Sequence, residues 1–444
     1  MEKTFAMISL GCAKNLVNSE QMLYLMSEAG YTLVPEAEGA DLAVVNTCGF
    51  IDAAKTEAID NILELAELKK QGKLGGLIVT GCLAERYKDS ILSELPEIDA
   101  VLGVGNFKDI VAAANTVMEG RNLSLFGSNS APVDEIPRVV STGPAWAYLR
   151  IAEGCNNFCA FCAIPYIRGR YRSRSMENIL EEARDLAAHG VKELIVIAQD
   201  ITRYGTDLYG KRSLAALCRE LAKIEGIEWI RLHYLYPDQF DDELIDEIAS
   251  NDKIVKYLDI PIQHINDGIL KAMNRRGTGG EIRSLFKTLR ARIPGLVLRT
   301  SLITGLPYED EAAFDELCDF LREVQIPRAG AFPYSPEEGT PAAAMPNRVD
   351  TAEAQHRAEL VAEVQSRVMD AFNESRLGDV TEVLCDGFDE QSMLFVGRSY
   401  AESPDIDGRI YFSAEREVRA GEFVPVRLTG TMDGEPVGEL YEEE

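Results

Sequence analysis

Three cysteines crowd one short segment of this 444-residue chain. Cys155, Cys159 and Cys162 stand in GCNNFCAFCAIP at C-x3-C-x2-C spacing. Three thiolates in one loop can hold three irons of a four-iron, four-sulfur cluster and leave the fourth iron open to a small molecule. Half of a structural zinc site is the bland alternative. A closed zinc site needs four ligands, and the next Cys or His are His189 and Cys218. A second trio is dispersed: Cys12, Cys48 and Cys82 each close an apolar, β-branched run (TFAMISLGC, DLAVVNTC, GLIVTGC). One cysteine at a strand end is usually a small buried hydrophobe. Three at corresponding ends suggest a shared ligand. Cys218, Cys318 and Cys385 lie within two helical runs and a strand run, share no spacing, and read as core residues.

Such trios need elements that bring them together. Helical patterns at Ser19–Ala29 and Ala54–Lys70 alternate with the three runs, as in βαβ units on a parallel sheet. Ligands gather where the C-terminal strand ends share one edge. A further strand at Ala100–Val104 and a helix at Lys108–Met118 complete a parallel-sheet domain over residues 1–126. The Ser/Pro/Gly-rich stretch 127–144 reads as a linker. Over 145–374, six strand runs alternate with helical ones, predicting a partial (β/α)6 barrel whose first strand delivers the Cys155 loop. From 375 to 444, short Gly-punctuated strand runs predict a small antiparallel β-barrel. The fold class is α/β with that barrel appended.

Apolar residues make up 46% and charged residues 27%, which excludes wholesale disorder. No run reaches the ~18–20 apolar residues of a bilayer span, and no secretory pattern opens the chain, so a cytoplasmic protein with no membrane partner is expected. In that compartment nine cysteines point to metal or redox chemistry rather than disulfides. The net charge of −28 argues against nucleic acid, transfer RNA included, and favours a basic partner. Residues 378–444 alone hold 17 acidic and 5 basic residues, a net of −12.

The Cys155 loop resembles the signature of the radical S-adenosylmethionine (SAM) enzymes, and SLGCAKNLVNSE, VVNTCGFI and VTGCLAE resemble the N-terminal domain of the methylthiotransferases among them. The likeness covers essentially the whole chain. It implies two 4Fe-4S clusters, one on each trio, with SAM chelated at the open iron of the first. The reduced first cluster would cleave SAM to a 5′-deoxyadenosyl radical; the second would deliver sulfur. It also implies a TRAM-like fold for the terminal barrel and an unidentified low-potential electron donor. Phe161 corresponds to the residue against adenine, or is a loop-packing aromatic. Gln199, with Asp200, Tyr204, Gly205 and Asp207, matches the segment beside the SAM amino group and substrate pocket. Arg299 and Thr304–Glu309 match the adenine-flanking segment, from which Tyr308 and Asp310 depart.

His264 reads foremost as a hydrogen-bonded structural histidine. The alternating Arg168, Arg170, Arg172 and Arg174 suit a structural or SAM-pocket role better than RNA binding. SLGCAKNLVNSE, RLHYLYPDQFDDELID and VGRSYAESPDIDG resemble the branch that modifies an aspartate of small-subunit ribosomal protein number twelve; transfer-RNA enzymes usually carry Gln-Met-Asn where Ala13–Lys14–Asn15 stands. Asn18 replaces that branch's usual Asp. The implied reaction places a methylthio group on the aspartate β-carbon, with SAM as radical source and methyl donor. The alternatives are methylthiolation of transfer-RNA adenosine and a non-catalytic iron–sulfur carrier or scaffold. The acidic terminal barrel is expected to attract the basic ribosomal protein.

Overall fold

In the computed structural model, which describes residues 3–442, the first third of the chain forms six parallel strands. They are β1 (Lys3–Ser9), β2 (Tyr31–Leu33), β3 (Leu42–Thr47), β4 (Gly76–Gly81), β5 (Ala100–Leu102) and β6 (Leu123–Leu125), in the order β2-β1-β3-β4-β5-β6. Helices cover both faces, so β3 and β4 are buried at every residue and read as unbroken apolar runs. The three cysteine-bearing strands β1, β3 and β4 are therefore neighbours. The order reverses at β1, which opens a crevice at the C-terminal edge beside it.

A second parallel sheet follows. Its strands are β7 (Trp146–Arg150), β10 (Glu193–Ile197), β11 (Trp229–Leu232), β12 (Ile254–Asp259), β13 (Val297–Thr304) and β14 (Arg328–Pro333), hydrogen-bonded in that order. A two-residue ladder, β8 (Ala152–Glu153) with β9 (Arg172–Ser173), folds the Cys155 loop back on itself. β7 and β14 do not pair, so the barrel is open. Alternate side chains face opposite ways. Ala147, Leu149, Leu194, Val196, Ile230 and Leu232 pack under the outer helices, whereas Trp146, Tyr148, Ile195 and Ile197 face inward. There they meet Ala13, Leu16 and Val17 of helix Ala13–Glu28, so the N-terminal module inserts that helix into the concave side.

The last strands, β15 (Val380–Asp389), β16 (Leu394–Arg398), β17 (Ile410–Ser413), β18 (Phe423–Met432) and β19 (Glu435–Leu440), close a barrel. Four pairings are antiparallel, as expected, and β17–β19 is parallel. An odd number of strands cannot close by antiparallel pairing alone. The loop after β16 plugs the other end of the core barrel. Arg398 and Arg231 share Glu193 at 2.7 Å each, Tyr257 donates to Asp407 at 2.6 Å, and Arg328 and Arg376 converge on Glu402 at 2.8 and 2.6 Å. Part of VGRSYAESPDIDG is thus an internal fastening, and two of its three carboxylates, Glu402 and Asp407, are engaged within the chain.

Burial opposes ionisation of Glu402, yet Arg376 and Arg328 hold it down at about 2. A depressed carboxylate stabilises the fold above its unfolded value near 4.5 and loses that contribution as pH falls towards 2. Glu402→Gln is expected to cost about 3–5 kcal/mol, the range for breaking a buried ion pair. Thermal melts should show the difference between variant and parent shrinking from pH 5 to pH 2.

The expected elements hold in the main, with departures of which the following bear on the site. Helix Ala13–Glu28 begins six residues before Ser19, because its polar first turn (Ala-Lys-Asn) interrupts the apolar period. Helix Cys82–Glu94 was not anticipated; its charged residues hide the pattern. β2 and β6, at three residues each, are too short to register as runs. The stretch from Gly127 to Pro144 contains no helix or strand, but it is tied down: Glu20 accepts from the Ser141 N–H at 2.7 Å, and Arg138 pairs with Glu20 and Glu182. Among the described residues, no helix is long and apolar enough to cross a membrane.

Candidate active site

The N-terminal trio meets at the crevice. Cys12 caps helix Ala13–Glu28, Cys48 follows β3, and Cys82 opens the helix after β4. Helix N-termini stabilise thiolates. Glycines next to the cysteines let the loops touch. Gly11 has φ of +90°, and a Cβ there would lie 2.7 Å from the Cys48 Cβ. A Cβ on Gly49 would lie 2.8 Å from the Leu83 backbone and 2.9 Å from the Cys82 carbonyl carbon. Burial pushes the Cys48 thiol up to about 12, helped by Cys82, and raises Cys82 as well. Cys12 is solvent-exposed, and its neighbours Lys14 and Arg168 bring its thiol below the usual value.

The core trio lies on the loop between β8 and β9. Cys155 and Cys159 are buried and Cys162 is partly exposed. The Asn157 amide fixes the loop, donating to Asp200 at 2.8 Å and accepting from Arg203 and Arg276 at 3.1 and 2.7 Å. Arg275 donates to the Cys159 sulfur at 3.6 Å and to the Pro261 carbonyl at 2.5 Å, with its guanidinium over the Tyr236 ring. Burial raises Cys155 to about 11 and raises Cys162 also. Among the described residues, no three His, Cys, Asp or Glu side chains gather tightly enough to hold one metal ion. Three soft thiolates from one loop suit a polynuclear iron–sulfur cluster.

One buried arginine joins the two neighbourhoods. Arg168 pairs with Glu153 of the core at 2.8 Å, hydrogen-bonds Asn15 of the N-terminal module, and reaches the Cys82 thiol. Asn15 in turn donates to the carbonyls of Leu10 and Thr47 at 3.0 and 2.9 Å, and its Oδ1 lies 3.6 Å from the Cys82 sulfur. Glu153 also accepts from Arg150 at 3.1 Å and Gln199 at 2.8 Å. Burial opposes its ionisation, but Arg168 and Arg150 hold it at about 2.

Comparison with known proteins places the three parts of the chain in known families. The model described as uncharacterized protein family UPF0004 matches residues 4–103, the Radical SAM superfamily model 149–321, and the TRAM domain model 377–440. A curated protein of Acetivibrio thermocellus, named ribosomal protein uS12 methylthiotransferase RimO, is 47% identical over 100% of this chain and 99% of its own length. Relatives of the same name from Desulforamulus reducens and Caldanaerobacter subterraneus subsp. tengcongensis are 46% and 47% identical over 98% of the chain, covering 99% and 100% of their lengths. The chain belongs to the RimO family of radical SAM methylthiotransferases. Membership of that superfamily brings SAM and a 4Fe-4S cluster as cofactors. The fold is shared with solved structures of much lower identity. The radical SAM methyltransferase TsrM from Kitasatospora setae matches at TM-score 0.57 and 14% identity over 77% of each chain. The cobalamin-dependent enzyme OxsB matches at 0.51 and 12%, over 83% of this chain and 56% of its own.

In this RimO-family chain the other expected site residues divide. Phe161 is buried with Cys159, Tyr236, Leu306 and Tyr334. Gln199 leans on Glu153 and leaves its Oε1 buried without a hydrogen-bond partner. Arg299 lines the inner wall, paired to Asp259 at 2.7 Å. Tyr204 donates to the Arg174 carbonyl, and Asp207 accepts from Ser173, so both brace the loop. His264 Nε2 lies 3.3 Å from Glu309, which also accepts from the Gly305 N–H and Arg357, a structural arrangement. Arg174 is engaged by Glu135 and Glu182, while Arg170 covers the Phe158 ring. Cys218 and Cys318 belong to the core beneath the helices and Cys385 to the terminal barrel's core. Sequence reasoning missed Arg275, Glu153 and Asn15. Glu153 and Asn15 at least adjoin cysteines; Arg275 stands 116 positions from Cys159 and carries no local signal.

Proposed function

We propose that this enzyme methylthiolates the β-carbon of an aspartate in ribosomal protein uS12. Cys155, Cys159 and Cys162 hold the SAM-binding cluster, and Cys12, Cys48 and Cys82 hold a second one. When bound, the first cluster with SAM supplies hydrogen-abstracting radical chemistry, and the second supplies sulfur. The residues of the chain prepare the ground. Phe161 offers a buried aromatic face to adenine, the free Gln199 Oε1 offers an acceptor to the SAM amino group, and Arg299, oriented by Asp259, lines the pocket. The observation that carries the reading is the Glu153–Arg168–Asn15 bridge, which ties the strand leading into the Cys155 loop to the residues beside Cys82. Helix Ala13–Glu28 packs Ala13, Leu16 and Val17 against Trp146, Tyr148, Ile195 and Ile197 of the core.

The acidic terminal barrel supports a basic protein as substrate. A low-potential protein donor would supply the electron. Mass spectrometry of anaerobically reconstituted enzyme, incubated separately with uS12 and with transfer RNA, tests the assignment. A methylthio group on the aspartate is expected; addition to the RNA alone would overturn it. Gly11→Ala tests the second cradle. The required φ of +90° and the clash with Cys48 should cost about 1–3 kcal/mol locally. With about four irons in each cluster, iron content should drop from about eight to about four per chain while SAM cleavage persists.

A further inference from the structure

The loop after β14 meets both cysteine neighbourhoods. At Ala342 its N–H donates to the Ala160 carbonyl at 2.9 Å, between Cys159 and Phe161 of the core loop, and Ala342 packs in one apolar cluster with both of them. Earlier in the same loop stands Glu337, an anion only 1% exposed. Its charge partners come from the other module. Arg86 donates to it at 2.6 Å and Lys55 at 2.9 Å. Ser335 of its own loop donates to it at 2.6 Å and accepts from the Asp52 N–H at 3.3 Å. Arg86 lies about one turn beyond Cys82 on helix Cys82–Glu94. The same guanidinium donates to the Gly49 carbonyl, next to Cys48, at 2.9 Å and to the Glu338 carbonyl at 2.8 Å. Lys55 belongs to helix Asp52–Lys70, which starts soon after Cys48.

One carboxylate therefore joins a loop bonded beside Cys159 to a guanidinium bonded beside Cys48. The Glu153–Arg168–Asn15 bridge is a separate tie of reversed polarity: there the core supplies the cation, here the anion. A single tie lets one module swing about it, whereas two hold both separation and angle. We propose that Glu337 is a positioning residue that sets the N-terminal sulfur site against the core site. The inference rests on the two-cluster reading given above. Reacting atoms must meet within about 3–3.5 Å, and a misplacement of about 1 Å can cost about a hundredfold. SAM cleavage needs the core trio alone, and methylthio transfer needs both trios. Neutralising Glu337 leaves two cations converging on an uncharged group, and of the two only Lys55 has another carboxylate, Asp52 at 2.5 Å. The modules should loosen there, at the cost of transfer and not of cleavage.

Glu337→Gln, Lys55→Met, Arg86→Met and the Glu337→Gln/Arg86→Met double variant are reconstituted anaerobically as full-length enzyme beside the parent. Deoxyadenosine formation from SAM and dithionite is measured, with methylthiolated uS12 formed per deoxyadenosine. Electron paramagnetic resonance reads the dipolar coupling between the two reduced clusters, whose strength reports their separation. In Glu337→Gln, deoxyadenosine formation should stay within a few fold of the parent, the product ratio should fall about tenfold or more, and the coupling should weaken and broaden. Lys55→Met should act the same way to a smaller degree. The double variant should be no worse than Arg86→Met alone, because the two residues act through one contact. Unchanged coupling in Glu337→Gln overturns the proposal whatever the activities do, as does a fall in deoxyadenosine as large as the fall in product. A parent that holds only one cluster removes the reading above and this role with it. A parent with both clusters that leaves uS12 unmodified removes the substrate assignment alone, and the coupling still decides the part played by Glu337.

Discussion

Cys159→Ala is expected to reduce 5′-deoxyadenosine formation from SAM and dithionite by at least about a thousandfold, a barrier increase of roughly 4 kcal/mol or more. The geometry makes this the most severe single change. Three thiolates are the fewest that secure a four-iron cluster while leaving one iron for SAM; two leave it labile. Cys159 is also the buried member whose sulfur accepts from Arg275, so its loss leaves a desolvated guanidinium with the Pro261 carbonyl and the Tyr236 ring but no anion-like sulfur. Uncompensated buried charge adds local disorder to the loss of a ligand. Chromatographic assay of deoxyadenosine, with iron content measured on the same sample, checks the result. Cleavage at the parental rate would dismiss the role given to this loop.

Cys48→Ala should separate the two chemistries. The cysteine is buried against Gly11, and alanine removes one sulfur without adding volume, so the sheet should persist. Deoxyadenosine formation should remain within a few fold of the parent, because the core trio is untouched. Methylthio product on uS12 should fall below detection, with iron content near half. The contrast with Cys159→Ala is the informative measurement: one variant loses both activities and the other loses only transfer. Normal methylthio product from Cys48→Ala would show that the N-terminal cysteines are core residues after all.

Much of this architecture was legible before any coordinates. The C-x3-C-x2-C loop is contiguous, so spacing alone reveals it. The dispersed trio was legible because each cysteine ends a strand, and parallel strands in successive βα units bring such ends to one edge. The open six-stranded barrel followed from six βα repeats. The Gly127–Pro144 stretch was half legible. Its composition announces an irregular segment, but nothing in it announces that Ser141 and Arg138 would strap it to Glu20. The reading of VGRSYAESPDIDG as a mark of substrate choice is also incomplete. Arg398, Glu402 and Asp407 fasten the terminal barrel into the core.

What the sequence by itself determined was therefore the placing of the six cysteines proposed as ligands, on which strand ends and loop, and the acidic character of the whole. Those properties are local, or repeat with the period of the strands. Only the tertiary structure decided how the two sulfur sites face one another. Arg168 meets Asn15 from 153 positions away, Arg275 meets Cys159 from 116, and Lys14 comes to rest on Tyr234 rather than on a carboxylate. Pairings of buried charge across such distances depend on which faces of separate modules come together. That is set by three-dimensional packing and desolvation, and leaves no periodic trace along the chain.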